Sequence, residues 1–306
     1  MNTLQLLSPP WQRWLDENLA RGCTPQSLLQ SMTQAGMDAN TAAAALQQAT
    51  VPAAAQAARP AAVAKIAAQA AAAYVYDTPR LPQSGTFIRT HDREVRVSMR
   101  LSRPVIALFD NLMSHEECDT LIGLARARLK RSAIVDPATG ESRVIDNRSS
   151  FGTFFHLNEN DFIARLDRRI AELMHWPVEN GEGIQILHYP AGGEYKAHFD
   201  YFSAQDPGSA SHLARGGQRV STLVMYLNDV AEGGETTFPS IHLSVTPKKG
   251  AAAYFEYGNH LGQVDPLSLH AGCPVLAGEK WIATKWMRER RYGQHSAGVT
   301  SADQPG

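Results

Sequence analysis

Cysteine is scarce in this 306-residue chain: Cys23, Cys118 and Cys273 form an odd, widely spaced set. That spacing excludes a disulfide framework of the secreted kind and any CxxC zinc site, and it fits a reducing cytoplasm. An excess of either charge is also missing, because 29 Lys and Arg stand against 30 Asp and Glu for a net charge of -1. No bulk field draws the chain to nucleic acid or to an acidic membrane, so partners have to be read from sites. The opening MNTLQLLSPPWQRWL has no basic n-region and breaks at Pro9 and Pro10 before a secretory apolar run can form. The alanine-rich run after Val51 is interrupted by Gln56, Arg59, Pro60, Lys65 and Gln69, and alanine is too weakly apolar to make it a membrane span. A soluble protein is expected. No repeat at solenoid spacing is visible.

What is present suits one sizeable globular domain with a smaller appendage, at 43% hydrophobic and 19% charged residues. Residues 1–50 read as a small helical module of three short helices. Pro9-Pro10 opens the first, with Trp11, Trp14, Leu15 and Leu19 in one stripe, and Gly22 closes it. Thr24-Pro25 is an N-cap and first-turn pair for the second, and the third starts near Asn40. The module carries no catalytic residues and reads either as a packing appendage or as a protein-interaction unit. Residues 51–82 turn to alanine, proline and glutamine, the composition of a linker.

From about Thr86 the pattern becomes short and β-rich. REVRVSMRL and PVIALFD are strands, and Ser114-His115-Glu116-Glu117 spells a capping box for a helix running to Leu129. DFIARLDRRIAELM places Ile163, Leu166, Ile170 and Leu173 at helical spacing. After it come the strands GIQILHY, QRVSTLVMYLN, LSVTPKKGAAAYFEY, LSLHAG and KWIATKWMRER, separated by glycine or proline turns. The fold class is mainly β, a sandwich or barrel with flanking helices. The last residues, 295–306, are a polar tail.

Within YPAGGEYKAHFDYF, His198 and Asp200 stand two apart, and on a strand such residues share one face. Two side chains on one face can hold one metal ion. A third ligand should come from a later strand, and the candidates are His212, His242, His260, His270 and His295. His270 is favoured by the residues downstream of it, where the chain turns and returns as a strand on which Lys280, Ile282, Thr284 and Trp286 share a face. A lysine among apolar neighbours needs an anion, since an unpaired buried ammonium is costly. Two histidines and one carboxylate form the face used by non-haem Fe(II) oxygenases, with positions left open for a chelating 2-oxoacid and for dioxygen. Lys280 then holds the far carboxylate of 2-oxoglutarate.

These segments resemble the 2-oxoglutarate and Fe(II)-dependent oxygenases, specifically the prolyl 4-hydroxylase catalytic-domain family of collagen and bacterial type. The resemblance runs from about Arg103 to Arg291. It is carried by PVIALFDNLMSHEECDTLI, by RSS at Arg148 to Ser150, by YPAGGEYKAHFDYF, by RVSTLVMYLNDVAEGGETTFP and by LHAGCPVLAGEKWIATKW. Ser149 stands where the family often has threonine. The resemblance implies a double-stranded β-helix, or jelly roll, as a dioxygenase domain over residues 83–294. It further implies Fe(II) on His198, Asp200 and His270, and 2-oxoglutarate on Lys280 with Tyr189 and Thr222. Ascorbate is the implied reductant. Tyr195, Arg148 and Trp286 fall near a peptide substrate by the same comparison; the two aromatics also read as core residues and Arg148 as a surface ion-pair residue. The loops Ile134 to Asn147 and Ser203 to Gly217 are expected to close over that substrate.

The implied reaction couples decarboxylation of 2-oxoglutarate to succinate and CO2 with hydroxylation of an unactivated carbon, C4 of a peptidyl proline. The same mechanism on another side chain or a small molecule is the nearest alternative, and a non-catalytic peptide-binding module is remote. A proline-containing peptide or protein is thus the expected partner, with no nucleic acid or membrane and a further protein partner open for residues 1–50.

Overall fold

The computed structural model describes residues 7, 9–20, 23–35, 37–50, 73–132, 134–135, 142–143, 149–203 and 205–292. The expected polar tail and most of the expected linker lie outside the described residues. Three helices come first: α1 (Pro9–Ala20), α2 (Pro25–Gln34) and α3 (Ala39–Thr50). The Thr24 hydroxyl accepts the Ser27 amide at the start of α2, and Pro25 occupies a position where a missing N–H costs nothing. Leu15, Leu28, Met32, Ala42 and Leu46 close a small core between the helices.

The remaining helices are α4 (His115–Arg126), α5 (Asp161–Met174) and α6 (Ser209–Ala214). The strands run in chain order as β1 (Phe87–Arg89), β2 (Glu94–Ser102), β3 (Val105–Asp110), β4 (Lys130–Arg131), β5 (Ile134–Val135), β6 (Ser142–Arg143) and β7 (Phe151–Phe155). They continue as β8 (Ile184–Tyr189), β9 (Tyr195–His198), β10 (Arg219–Tyr226), β11 (Glu232–Gly233), β12 (Thr236–Phe238) and β13 (Leu243–Val245). The last four are β14 (Ala252–Glu256), β15 (His270–Gly272), β16 (Val275–Ala277) and β17 (Lys280–Arg288). A nine-stranded sheet runs β1-β2-β3-β14-β10-β17-β8-β7-β4, and a four-stranded sheet runs β13-β12-β15-β9. The paired strands are antiparallel throughout. Two sheets that share an apolar layer, with Leu187, Val224, Phe238, Phe255 and Ile282 in one cluster, make the jelly-roll architecture.

The outer face of the large sheet is sealed by α4 and α5. Both halves of the capping box form at Ser114 and Glu117, as the spelling predicts. The helix ends at Arg126 rather than Leu129, because the chain must turn there to deliver Lys130 opposite Gly152 on β7. Asn160 caps α5, and His175 closes it in the left-handed region at φ 52°. From α5, Asp167 reaches the buried Lys285 of β17 at 2.7 Å, and Arg169 reaches Glu117 at 2.7 Å. The period of two along β17 then divides its side chains. Trp281, Ala283 and Met287 join the helix-side core, while Lys280, Ile282, Thr284 and Trp286 face the interior between the sheets.

Two expectations about elements change. The stretch LSVTPKKGAAAYFEY is two strands, since Gly250 at φ +80° turns the chain and donates its N–H to the Tyr226 carbonyl. A Cβ there would press on the Met113 carbonyl oxygen at 2.5 Å, so the position requires glycine. The Ser203 to Gly217 segment is not purely loop, because it contains α6. Residues 73–82 pack on the large domain: the Arg80 amide donates to Glu256, and Leu81 is buried in the main core.

Candidate metal centre

The central contact is made across β9 and β15, where His198 and His270 are direct cross-strand partners. Their rings stand 4.3 Å apart. The expected sharing of a strand face by His198 and Asp200 is not how the pair is built. Strand β9 stops at His198, and Asp200 lies in the bend just after it. From there the carboxylate turns back between the imidazoles, with Oδ1 at 3.6 Å from His198 Nε2 and Oδ2 at 3.5 Å from His270 Nε2. One ligand atom from each of the three residues lies within 4.8 Å of the other two.

Each imidazole is oriented from behind. Nδ1 of His198 lies 2.8 Å from the Lys196 carbonyl, and Nδ1 of His270 lies 2.9 Å from the Ser268 carbonyl. A carbonyl only accepts, so Nδ1 donates in both rings and Nε2 is the atom turned toward the carboxylate. Burial and the neighbouring His198 bring His270 down to about 4, which leaves it neutral at physiological pH. Burial alone would raise Asp200, but His270 and His198 beside it hold the carboxyl well below its usual range. Two imidazoles and an ionised carboxylate on one face are a donor set that fits a divalent metal with open positions.

Behind these residues the pocket, a cavity of about 940 Å³, deepens toward Lys280. Lys280 is 3% exposed, and no carboxylate among the described residues comes within ion-pair distance of it. Burial brings its ammonium down to about 8, with Cys273 and Glu235 as the nearby groups that oppose the shift. Tyr189 lies directly opposite Lys280 across β8 and β17, its ring centre 5.8 Å from Nζ. A buried cation at the floor of a cavity, with no anion in ion-pair reach among the described residues, fits the carboxylate of a dicarboxylic acid.

Thr222, expected on the cosubstrate, is placed elsewhere. Its hydroxyl donates to Asp200 Oδ2 at 2.7 Å, and having spent its proton it accepts from the Tyr257 hydroxyl at 2.9 Å. The reason lies in the sheet: Thr222 is 0% exposed, beneath Asp200 rather than on the cavity wall. Tyr195 does line the cavity, stacked on His198 with ring centres 3.6 Å apart. Trp286 also lines it, and its buried indole N–H has no hydrogen-bond partner among the described residues. Arg148 lies outside the described residues, as does most of the Ile134 to Asn147 loop. Next to it, the Ser149 hydroxyl and amide are tied to the backbone of Glu194. From the second expected lid, Ser203, Asp206 and Ser209 border the cavity.

One important residue escaped the sequence reading. Arg219 lines the cavity, lies 3.9 Å above the Trp286 ring, forms a two-pronged ion pair with Glu182 and donates to the Asp200 carbonyl at 3.3 Å. Nothing local marks it, because Glu182, just ahead of β8, and Arg219, at the start of β10, meet only when both strands are assembled on either side of β17. The mouth of the cavity carries Lys130, Arg131 and the half-exposed Phe154 and Phe199.

A jelly roll that brings a two-histidine, one-carboxylate face above a buried lysine defines a metal-dependent oxygenase class of site. Comparison with known proteins agrees. A family model described as the 2OG-Fe(II) oxygenase superfamily matches residues 184–288. Probable prolyl 4-hydroxylase 3 of Arabidopsis thaliana is 39% identical over 208 residues, covering 62% of this chain and 71% of that protein. Prolyl 4-hydroxylase 1 of the same plant is 43% identical over 202 residues, covering 61% and 70%. Among solved structures, the viral collagen prolyl hydroxylase of Paramecium Bursaria Chlorella virus-1 in its 2OG complex is 29% identical with a TM-score of 0.47, covering 60% of this chain and 95% of that one. The chain belongs to the prolyl 4-hydroxylase family of the 2-oxoglutarate and Fe(II)-dependent oxygenases. Among the described residues no helix is long and apolar enough to cross a membrane.

Proposed function

We propose that this oxygenase hydroxylates C4 of a proline within a peptide or protein, with His198, Asp200 and His270 holding Fe(II) and Lys280 holding 2-oxoglutarate. When bound, the iron would supply dioxygen activation, with dioxygen as the oxidant and 2-oxoglutarate consumed as a reductant to succinate and CO2. The protein's part is positional. The carbonyls of Lys196 and Ser268 fix the imidazole tautomers, and the Thr222 hydroxyl fixes the orientation of Asp200. Lys280 neutralises the far carboxylate of the cosubstrate, and Tyr189 walls the same end. Tyr195 and Trp286 are the proposed substrate contacts, and Arg148 is retained from the family resemblance. A preformed polyproline II segment loses little entropy on docking against such aromatic side chains.

The observation that carries this reading is the convergence of three ligand atoms within 4.8 Å in the cavity that ends at Lys280. The relatives' names supply proline as the target. Ascorbate is the proposed reductant, residues 83–294 the catalytic domain, residues 1–50 a helical module, residues 51–82 the link between them with its last ten residues packed on the catalytic domain, and the reducing cytoplasm the compartment. The test is turnover with Fe(II), 2-oxoglutarate and a library of proline-containing peptides, reading succinate and a product heavier by one oxygen together. Fragmentation should place the oxygen on proline. Succinate without any oxidised peptide, or oxygen on another residue type, would remove proline as the target.

A further inference from the structure

The helical module and the catalytic domain meet at a pair of thiols. Cys273 sits between β15 and β16, three residues after His270, yet its side chain belongs to the apolar cluster of the module together with Leu15, Leu28 and Met32. Cys23, just ahead of α2, reaches the same point, and the two sulfurs are 3.0 Å apart. Both residues are buried, at 5% and 2% exposure. A second contact lies nearby, where Glu17 of α1 meets Lys196 of β9 at 3.0 Å.

We infer that Cys23 and Cys273 form a reversible thiol–disulfide site that tethers the helical module to the catalytic domain beside the cosubstrate pocket. Closing the sulfurs to a bond of about 2.05 Å asks for a movement of roughly 1 Å, within the reach of side-chain adjustment. The Cys23 thiol donates toward Cys273, and this holds Cys273 below the usual thiol range, favouring it as the attacking sulfur. The oxidant class is a small-molecule disulfide of the glutathione type. Once local opening of the helical module exposes the pair, the Cys273 thiolate attacks one glutathione sulfur, forming a mixed disulfide and expelling the other half as a thiolate. The Cys23 sulfur then attacks Cys273 and expels the second half. Two protein thiols are oxidised by two electrons, two reduced glutathiones leave, and the two protons go to the leaving thiolates. A cysteine pair that reacts in this way is of the redox-sensing kind found in reducing compartments.

The third cysteine is an internal control. Cys118, on the buried face of α4, has no cysteine beside it among the described residues, and burial pushes its thiol up to about 11. The full-length reduced chain is equilibrated without oxygen in glutathione buffers of rising oxidised fraction, quenched in acid, alkylated and digested with trypsin without reduction. The cuts leave Cys23 on residues 22–65 and Cys273 on residues 250–280. The expected result is one crosslinked species of those two peptides in monomeric protein, exceeding half of the total before Cys118 reacts, and formed equally in Cys118→Ala. Separate glutathione adducts on the two cysteines, thiols that stay reduced across the whole range, a link through Cys118 or a link between two chains would each overturn the inference. None of these outcomes depends on proline hydroxylation, so the tether and the proposed reaction fail independently.

Discussion

The floor and the mouth of one cavity are built on opposite principles. At the floor, the three ligand side chains are held from behind, His198 and His270 by carbonyls and Asp200 by Thr222, and the strand carrying Lys280 is anchored by the Lys285–Asp167 pair. At the mouth, Phe154 is 47% exposed and Phe199 is 39% exposed, and Lys130 and Arg131 stand on a two-residue edge strand. The contrast teaches where tolerance ends. Chemistry that requires ligand atoms fixed to a fraction of an ångström is placed where burial over-determines them, whereas selection of a chain-like substrate is left to surfaces that adapt.

The largest effect should come from the centre of the floor. Replacing Asp200 with alanine removes the only carboxylate among the three converging ligand atoms. It should lower kcat/KM at least ~1,000-fold, about 4 kcal/mol in transition-state terms. Metal analysis after gel filtration should show the iron lost with it. A variant that keeps both iron and turnover would break the distinction between floor and mouth.

Lys280 should come next. Truncating the buried partner of a charge costs about 2–5 kcal/mol, so Lys280→Ala should raise the KM for 2-oxoglutarate by roughly 100-fold. A pH series gives an independent readout. With its ammonium at about 8 in the free protein, Lys280 is charged below that value and able to bind a carboxylate, and it loses its proton as pH rises through it. Affinity for 2-oxoglutarate should therefore be flat below pH 8 and weaken above it by up to about tenfold per unit. Lys280→Arg, charged at every accessible pH, should erase that slope even where the larger head binds less well. A slope unchanged in the arginine variant would assign the titration to another group.

Thr222 tests whether the support behind the floor matters as much as the floor itself. Thr222→Val keeps the shape and removes the donor to Asp200, and partners behind metal ligands are worth about 10–100-fold in affinity or activity. Tyr257→Phe, one hydrogen bond further back, should cost less than Thr222→Val. Iron affinity measured by chelator competition separates this from loss of 2-oxoglutarate binding, which should stay within about twofold.

The same contrast explains what could be read from the chain before its fold. The face formed by Lys280, Ile282, Thr284 and Trp286 was legible because a strand alternates with period two, and all four do line the cavity. The capping box at Ser114 and the apolar spacing along α5 were legible for the same local reason. Thr222 was not. It shares the β10 face expected of a cosubstrate contact, but Asp200 folds back over it from the bend after β9, and no one-dimensional pattern records that bend. Arg219 with Glu182, and Cys23 with Cys273, are pairs whose members carry no mark until the strands and helices are assembled.

The smallest effects should lie at the mouth, and they sharpen the comparison by being small in a particular way. Trp286 straddles the two regions: Arg219 covers one face of its ring, and its indole N–H is buried without a partner among the described residues. Trp286→Phe keeps the ring against Arg219 and removes the N–H. If a peptide carbonyl fills that place, the KM for peptide should rise several-fold, about 1 kcal/mol, while the KM for 2-oxoglutarate holds. Phe154→Ala, farther out, should change the peptide KM by no more than about threefold and leave kcat alone, since an exposed ring contributes binding shared equally by ground and transition states. A fall in kcat for Phe154→Ala would mean that the mouth closes during turnover and takes part in excluding water, which would make the division between a rigid floor and an adaptable mouth too sharp.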